Sequence, residues 1–315
     1  MTYDEALNSC IFKYISGSHA YGSNRPDSDI DVRGVFIAPL KSFFNIYSSE
    51  DAEGDIKGNV STVHSTESDE ELQELRKFLK LSTECNPNII EFLYVDRLIL
   101  HESPIWKKIR DNRHLFLSKK AKFTFSGYAI AQLKRIKNHR GYLLNPPTHK
   151  PTREEFGLPE SSVIPPEQRR GILSISDEFV RDEVKELIKK ESAFTAANNE
   201  YRSYMDWDTN RNPYRKELER IHGRDTKHTF HLIRLLTMAK EILVTGEVNV
   251  FRSDVDEMQD FACNAKFEAI ETWAEGMDKE LNEQYEKSTL QHSADKKKIS
   301  ELYIEICEET YGIKL

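Results

Sequence analysis

The chain has 315 residues, with 45 Lys and Arg against 53 Asp and Glu, a formal net charge of −8, 38% hydrophobic and 31% charged. That length accommodates two or three compact units, and the negative charge argues against a broad nonspecific nucleic-acid surface, which needs clustered Lys and Arg. No apolar run reaches the roughly 20 residues of a membrane-spanning helix, the opening MTYDEALNSC lacks the basic-then-apolar layout of a secretory leader, and Cys10, Cys85, Cys263 and Cys307 form no CxxC pair. Neither a zinc site nor a disulfide framework is expected, and the expected location is the reducing cytoplasm.

Residues 1 to 47 read as helix, strand, turn, strand. The turn carries the most informative residues of the chain, Gly17-Ser18 and Asp29-Ile30-Asp31, in ISGSHAYGSNRPDSDIDVRGVFI. Residues two apart on a strand share a face, so Asp29 and Asp31 are expected to form a pair of hard oxygen ligands, with Ile30 turned into a core. Gly17-Ser18 offers backbone N–H groups and a hydroxyl to an anion, and glycine permits a phosphate to approach the main chain. Two carboxylates beside a phosphate cradle suit metal-assisted phosphoryl or nucleotidyl transfer. A calcium loop beginning at Asp27 is excluded, because Val32 and Ala38 stand where its glycine and glutamate belong. Asp27 and Ser28 are expected to be turn residues. Arg33, two residues beyond Asp31, is expected to meet a carboxylate or a phosphate, while Tyr21 is read as a core residue rather than a base-stacking one.

DAEGDIKGN reads as a polar turn and NVSTVHS as a strand. From Asp69 the apolar spacing of Leu72, Leu75, Phe78, Leu79 and Leu81 predicts a helix ending at Asn86-Pro87. The segment NIIEFLYVDRLIL mixes a short helix with a strand, and the whole beginning is α+β. After Ser118 the pattern is mainly helical. One helix carries Phe125, Ala129, Leu133 and Ile136, and the Pro-rich stretch NPPTHKPTREEFGLPESSVIPPEQ follows it as a long connection, read as an ordered flap at about 145–170. Further helices are expected at SDEFVRDEVKELIKKESA, AANNEYRSYMDW and RKELERIHG. The strongest is DTKHTFHLIRLLTMAKEILVTG, with Asp225 as N-cap and Gly246 as C-cap. Two more run over 254–287 and 295–310.

The G-S followed by D-h-D on a strand, with h apolar, resembles the DNA polymerase β-like nucleotidyltransferase superfamily. Within it, the chain is similar to the RNA repair pathway DNA polymerase beta family. The resemblance rests on AYGSNRPDSDIDVRGVF, ELRKFLKL followed by NPNIIEFLY, GYAIAQLKRIK, NPPTHKPTREEFGLP and GRDTKHTFHLIRLL, and spans roughly residues 10 to 252. It implies a third carboxylate a few residues before L-R-K-F, on a strand leading into a helix. By that spacing Glu71 is chosen, with Asp69 in reserve; Ser68-x-x-Glu71 also reads as a capping box. Lys227, His231 and Arg234 form a polar stripe on their helix, opposite Phe230, Ile233 and Leu236, and the family block there implies contacts to a triphosphate or nucleic-acid backbone. His228 and His231 lack a third ligand for a metal.

These readings combine into an α+β nucleotidyltransferase core, residues 1–117, followed by a helical region, 118–315. Two Mg²⁺ ions are expected on Asp29, Asp31 and Glu71. Gly17, Ser18, Arg33, Lys227, His231 and Arg234 are the expected contacts to the NTP. The basic run containing Lys134 and Arg135 is the expected grip on an RNA or tRNA end. A regulatory or toxin-like enzyme acting on protein, and a silent nucleotide or RNA sensor, are the alternatives. Composition does not decide the base, the acceptor or the oligomeric state.

Overall fold

The computed structural model describes residues 2–43, 62–162, 164–174 and 181–315. Helix α1 (Tyr3–Asn8) opens with a capping box, Thr2 accepting from the Glu5 N–H while the Glu5 carboxylate accepts from that of Thr2 at 2.9 Å. Among the described residues, β1 (Cys10–Ile15), β2 (Val32–Phe36), β3 (Thr62–His64), β4 (Glu70–Glu74) and β5 (Ile99–Glu102) form one mixed sheet in the order β3-β4-β2-β1-β5. β1 pairs antiparallel with β2 and β5, β2 is parallel to β4, and β3 is antiparallel to β4. The short helix α2 (Gly17–Tyr21) lies between β1 and β2, where the sequence suggested only a turn.

Alternation along CIFKYI puts Phe12 and Tyr14 on one face of β1. Helix α3 (Leu75–Thr83), the 3-10 turn Glu91–Leu93 that follows helix α4 (Pro87–Ile90), and helix α5 (Pro104–Asp111) supply aromatic residues against it. Phe12 stacks on Trp106 with centroids 4.2 Å apart, and Tyr14 meets the Phe92 ring edge-on at 5.0 Å. All four are buried with Phe78, and each such side chain stabilises the core by about 1.5–3 kcal/mol relative to exposure.

The helix expected from Asp69 begins later. Residues 70–74 are a strand, and α3 opens at Leu75, where the Glu74 carboxylate caps the Lys77 N–H at 3.1 Å. The cause is a coincidence of spacing. Leu72 belongs to the buried face of β4 but stands three residues before Leu75, so the strand and helix patterns run together. The Ser68–Glu71 capping box does not form. The turn expected at 51–59 lies outside the described residues, as does the beginning of NVSTVHS.

Two compact units divide the chain, one comprising residues 1–134 and 227–315, the other 135–226. This division differs from the boundary expected at 117/118, because the last ninety residues group with the sheet rather than with the preceding helices. Helix α6 (Ala121–Leu144) buries Phe125, Ala129 and Ile136 as its spacing predicted; its residues from 135 onward are counted with the second unit.

In the second unit, α7 (Pro166–Leu173) and the preceding Pro-rich segment are fastened to α8 (Asp182–Asn210), one continuous helix where two were expected. The fastener is Glu191, fully buried, whose carboxylate accepts from Arg153 at 3.2 Å and from Arg169 at 3.0 Å. Phe156 packs edge-on to Phe194 beside it. Helix α9 (Pro213–His222) follows. The hydrogen bond from Arg153 outweighs burial and holds the Glu191 carboxyl below the usual range. A lowered folded-state value means stability present above the unfolded value of about 4.3 and lost as pH falls through the folded one. Glu191→Gln should therefore melt below wild type at neutral pH, and the gap should close on acidification. A pH-independent gap would contradict this origin.

The first unit is completed by α10 (Thr226–Thr245), α11 (Val255–Asn264), α12 (Phe267–Lys287) and α13 (Lys296–Tyr311). Gly246 ends α10 at φ +72°, its N–H bonded to the Ile242 carbonyl at 2.9 Å, as expected of the C-cap. Phe230 and Ile233 of α10 pack on Met258 and Ala262 of α11. The single helix expected over 254–287 is two, broken at Ala265 and Lys266, both extended. Neither residue is a helix breaker, so the sequence carries no signal of the break.

Candidate active site

The chain leaves β1 at Ile15 and turns at once. Ser16 donates its backbone N–H to the Asp31 carbonyl at 2.8 Å, joining the end of β1 to the approach of β2. Gly17 then adopts φ +65°, and a Cβ there would lie 2.6 Å from Oδ2 of Asp31. Only glycine satisfies both the left-handed backbone and the contact. The Asp31 carboxylate thus sits directly against the first turn of α2, where the N–H groups of Gly17 and Ser18 precede any intrahelical acceptor. The loop between is braced by Arg25 and Ser28: the Ser28 N–H donates to the Arg25 carbonyl at 3.0 Å, and the Arg25 N–H to the Ser28 hydroxyl at 2.9 Å.

Asp29 and Asp31 do not lie within a strand, since β2 begins at Val32. Ile30 is 57% exposed, so it does not enter the core as alternation suggested. Asp29 is exposed and Asp31 half-buried at the mouth of the sheet. The extended pairing that would have buried Ile30 begins only two residues later, where the Val32 N–H meets the Asp69 carbonyl at 2.9 Å.

The same parallel register fixes the surroundings of Glu71. Arg33 of β2 stands opposite Glu71 of β4, and their side chains form an ion pair at 2.6 Å. Asp31 and Asp69 immediately precede these two paired strands, Asp31 before β2 and Asp69 before β4. Gln73 donates to the other Glu71 oxygen at 3.0 Å. Burial raises the Glu71 pKa, but the Gln73 hydrogen bond and the Arg33 charge outweigh it and hold the carboxyl below its usual range. Glu71→Gln should cut the turnover of any reaction at this site strongly, with little change in melting temperature, and Asp69→Asn should leave it near wild type. The reverse pattern in steady-state rates would assign the third position to Asp69.

Arg234 is not placed as the sequence suggested. It is 3% exposed, paired with Glu91 and set 3.8 Å over the Tyr21 ring centroid. Its charge is committed inside the protein, and Tyr21 is the core residue expected. The helical stripe is therefore divided: Lys227 is exposed on the first turn of α10, His231 half-buried and Arg234 buried. Lys134 and Arg135 are exposed on α6, whereas His139, later in the same basic run, faces Glu219 at 3.7 Å. Sequence reasoning missed Glu91 and Tyr21 as partners of Arg234, and nothing in their spacing signals the pairing.

An anion bound at the Gly17-Ser18 turn would lie beside the Asp31 carboxylate. Two such charges at close range repel unless a cation stands between them. The donor set of Asp29 and Asp31 is hard oxygen, suited to Mg²⁺ or a similar ion, and the missing Gly17 side chain lets the Asp31 carboxylate lie against the turn. These two residues fit a divalent metal, whereas Glu71 is paired with Arg33.

Residues 4–144 match the model of the RNA repair pathway DNA polymerase beta family, a polymerase β-like nucleotidyltransferase family. The match ends within α6, so the resembling blocks further along lie outside it. The chain is 29% identical over 126 residues to an uncharacterized 38.9 kDa protein from the nrdC-mobD intergenic region of Enterobacteria phage T4. That similarity covers 39% of this chain and 37% of the phage protein. No solved structure matches. The matched residues 4–144 hold every described strand of the sheet together with Gly17, Ser18, Asp29, Asp31 and Glu71, so the likeness to the RNA repair pathway DNA polymerase beta family covers the candidate site.

Proposed function

We propose that the chain is a Mg²⁺-dependent nucleotidyltransferase that moves a nucleoside monophosphate from an NTP to an acceptor hydroxyl, with an RNA or tRNA end as acceptor. The observation that carries the reading is the Asp31 carboxylate lodged against Gly17 at the opening of α2. A phosphate site and a carboxylate in contact are useful together only when a cation joins them. Asp29, Asp31 and Glu71 would hold the metal, which when bound neutralises phosphate charge and lowers the pKa of a hydroxyl. Gly17 and Ser18 fix the triphosphate through backbone N–H groups, and exposed Lys227 adds positive charge. The acceptor oxygen bonds to the α phosphorus, the bond from that phosphorus to the β-bridging oxygen breaks, pyrophosphate departs with the electron pair, and the hydroxyl proton passes to solvent.

The RNA acceptor is favoured by exposed Lys134 and Arg135 on α6. A net charge of −8 is poor for gripping a long duplex, while a few local cations can hold a few phosphates of a single strand. The test incubates the protein with each α-labelled NTP, Mg²⁺ and either total RNA or a protein lysate. Label is expected on RNA, falling steeply between about 50 and 200 mM salt, with a shallower slope in Lys134→Ala/Arg135→Ala. Label on polypeptide alone, with RNA untouched by all four nucleotides, would select the protein-modifying alternative.

A further inference from the structure

The residues that close α2 are held by several contacts from α10 and the segment after it. The Arg234 guanidinium covers the Tyr21 ring at 3.8 Å and pairs with Glu91, whose second oxygen accepts from the Tyr21 hydroxyl at 2.8 Å. The Tyr21 carbonyl accepts from the Arg252 N–H at 3.1 Å. Arg252 is itself tied to α10, its guanidinium donating to both Glu241 oxygens at 2.6 and 2.7 Å. A Cβ on Gly22 would lie 2.7 Å from the Phe251 ring, so that ring rests on the Gly22 backbone, with Arg97 stacked at 3.8 Å from its centroid. Finally, the Gln259 side chain donates to the Ser23 carbonyl at 3.3 Å.

These contacts matter because α2 has only five residues. A helix that short has no stability of its own, since its one turn costs more conformational freedom than its hydrogen bonds return. The orientation of Gly17 and Ser18 at its beginning is therefore set by the Ser16–Asp31 bond before it together with what grips its end. The gripping residues Arg234, Phe251, Arg252 and Gln259 all lie beyond residue 144, outside the matched part of the chain.

We propose that Tyr21, Glu91, Arg234 and Phe251 are positioning residues, which hold the Gly17-Ser18 turn against Asp31 in the geometry that binds the NTP triphosphate. The proposal rests on the nucleotidyl-transfer reading above. It makes the C-terminal helices part of the site's precision, because misplacing a phosphate-binding turn by a fraction of an ångström weakens contacts that depend on alignment.

Two mild variants test it on the full chain. Phe251→Ala removes a ring that is 38% exposed, and Tyr21→Phe removes only the hydroxyl bonded to Glu91. Hydrogen exchange is read on residues 16–23 and on β1, β2 and β4, alongside steady-state kinetics. Exchange at 16–23 should accelerate about tenfold or more in both variants while the strands stay protected, as for a local opening. The KM for NTP should rise about fivefold or more, with the KM for the acceptor unchanged. Wild-type exchange at 16–23 in both variants, or acceleration spread evenly over the strands, overturns the proposal, as does an unchanged KM for NTP in a variant whose turn has loosened. A wild-type chain that transfers no nucleotide would refute the functional reading instead, and the exchange result would still decide whether the brace exists.

Discussion

Asp31→Asn should lower nucleotidyl transfer at least about a hundredfold without unfolding the protein, and Asp29→Asn should do the same. The substitution keeps the shape of the side chain and removes one negative charge. At position 31 the carboxylate is half-buried, and its Oδ2 fills the space left by the missing Gly17 side chain. The asparagine amide fits that space, so packing and the Ser16 bond to the residue 31 carbonyl survive. What is lost is the anionic ligand that lets a phosphate and this edge of the sheet share a cation. Melting curves should stay close to wild type for both variants while single-turnover rates collapse. Retained turnover with unchanged Mg²⁺ dependence would remove both residues from the metal site.

Arg234→Ala has the largest expected effect on stability, about 3–5 kcal/mol, because it strands a buried carboxylate. Glu91 and Arg234 are each almost wholly inaccessible and pair directly with one another. Removing the guanidinium leaves the Glu91 carboxylate, among the described residues, with the Tyr21 hydroxyl alone, and also empties the face of the Tyr21 ring. Denaturant midpoints should fall accordingly. Arg234→Ala combined with Glu91→Gln should recover part of the loss, since the uncompensated charge is then gone. If Arg234→Ala melts like wild type and loses only nucleotide affinity, Arg234 is a ligand contact and not a buried partner of Glu91.

The readable parts of the sequence were those whose signal is local. Gly17-Ser18 closing β1, the aspartates leading into β2, the stripe of Phe125, Ala129 and Ile136, and the glycine end of α10 each depend on a few neighbouring residues. The candidate site was legible for the same reason, since Asp29, Asp31 and Gly17 belong to one short motif. Errors arose where a long-range partner decides. Leu72 reads as the start of a helix until β2 pairs with residues 70–74. Arg234 reads as a cleft cation until Glu91, 143 positions away, meets it. The grouping of 227–315 with the sheet has no local mark at all, because it is made by such pairings. Ile30 fails differently: its alternation was sound, but the strand starts too late to bury it.

Comparing NTP labelled at the α phosphate with NTP labelled at the γ phosphate, in the presence of Mg²⁺ and RNA, tests the account most directly. Nucleotidyl transfer predicts that the α label becomes acid-precipitable with the RNA, that the γ label appears only in pyrophosphate, and that both disappear in Asp31→Asn. Incorporation of the γ label into the acceptor, or α-label transfer that persists undiminished in Asp31→Asn, would contradict it.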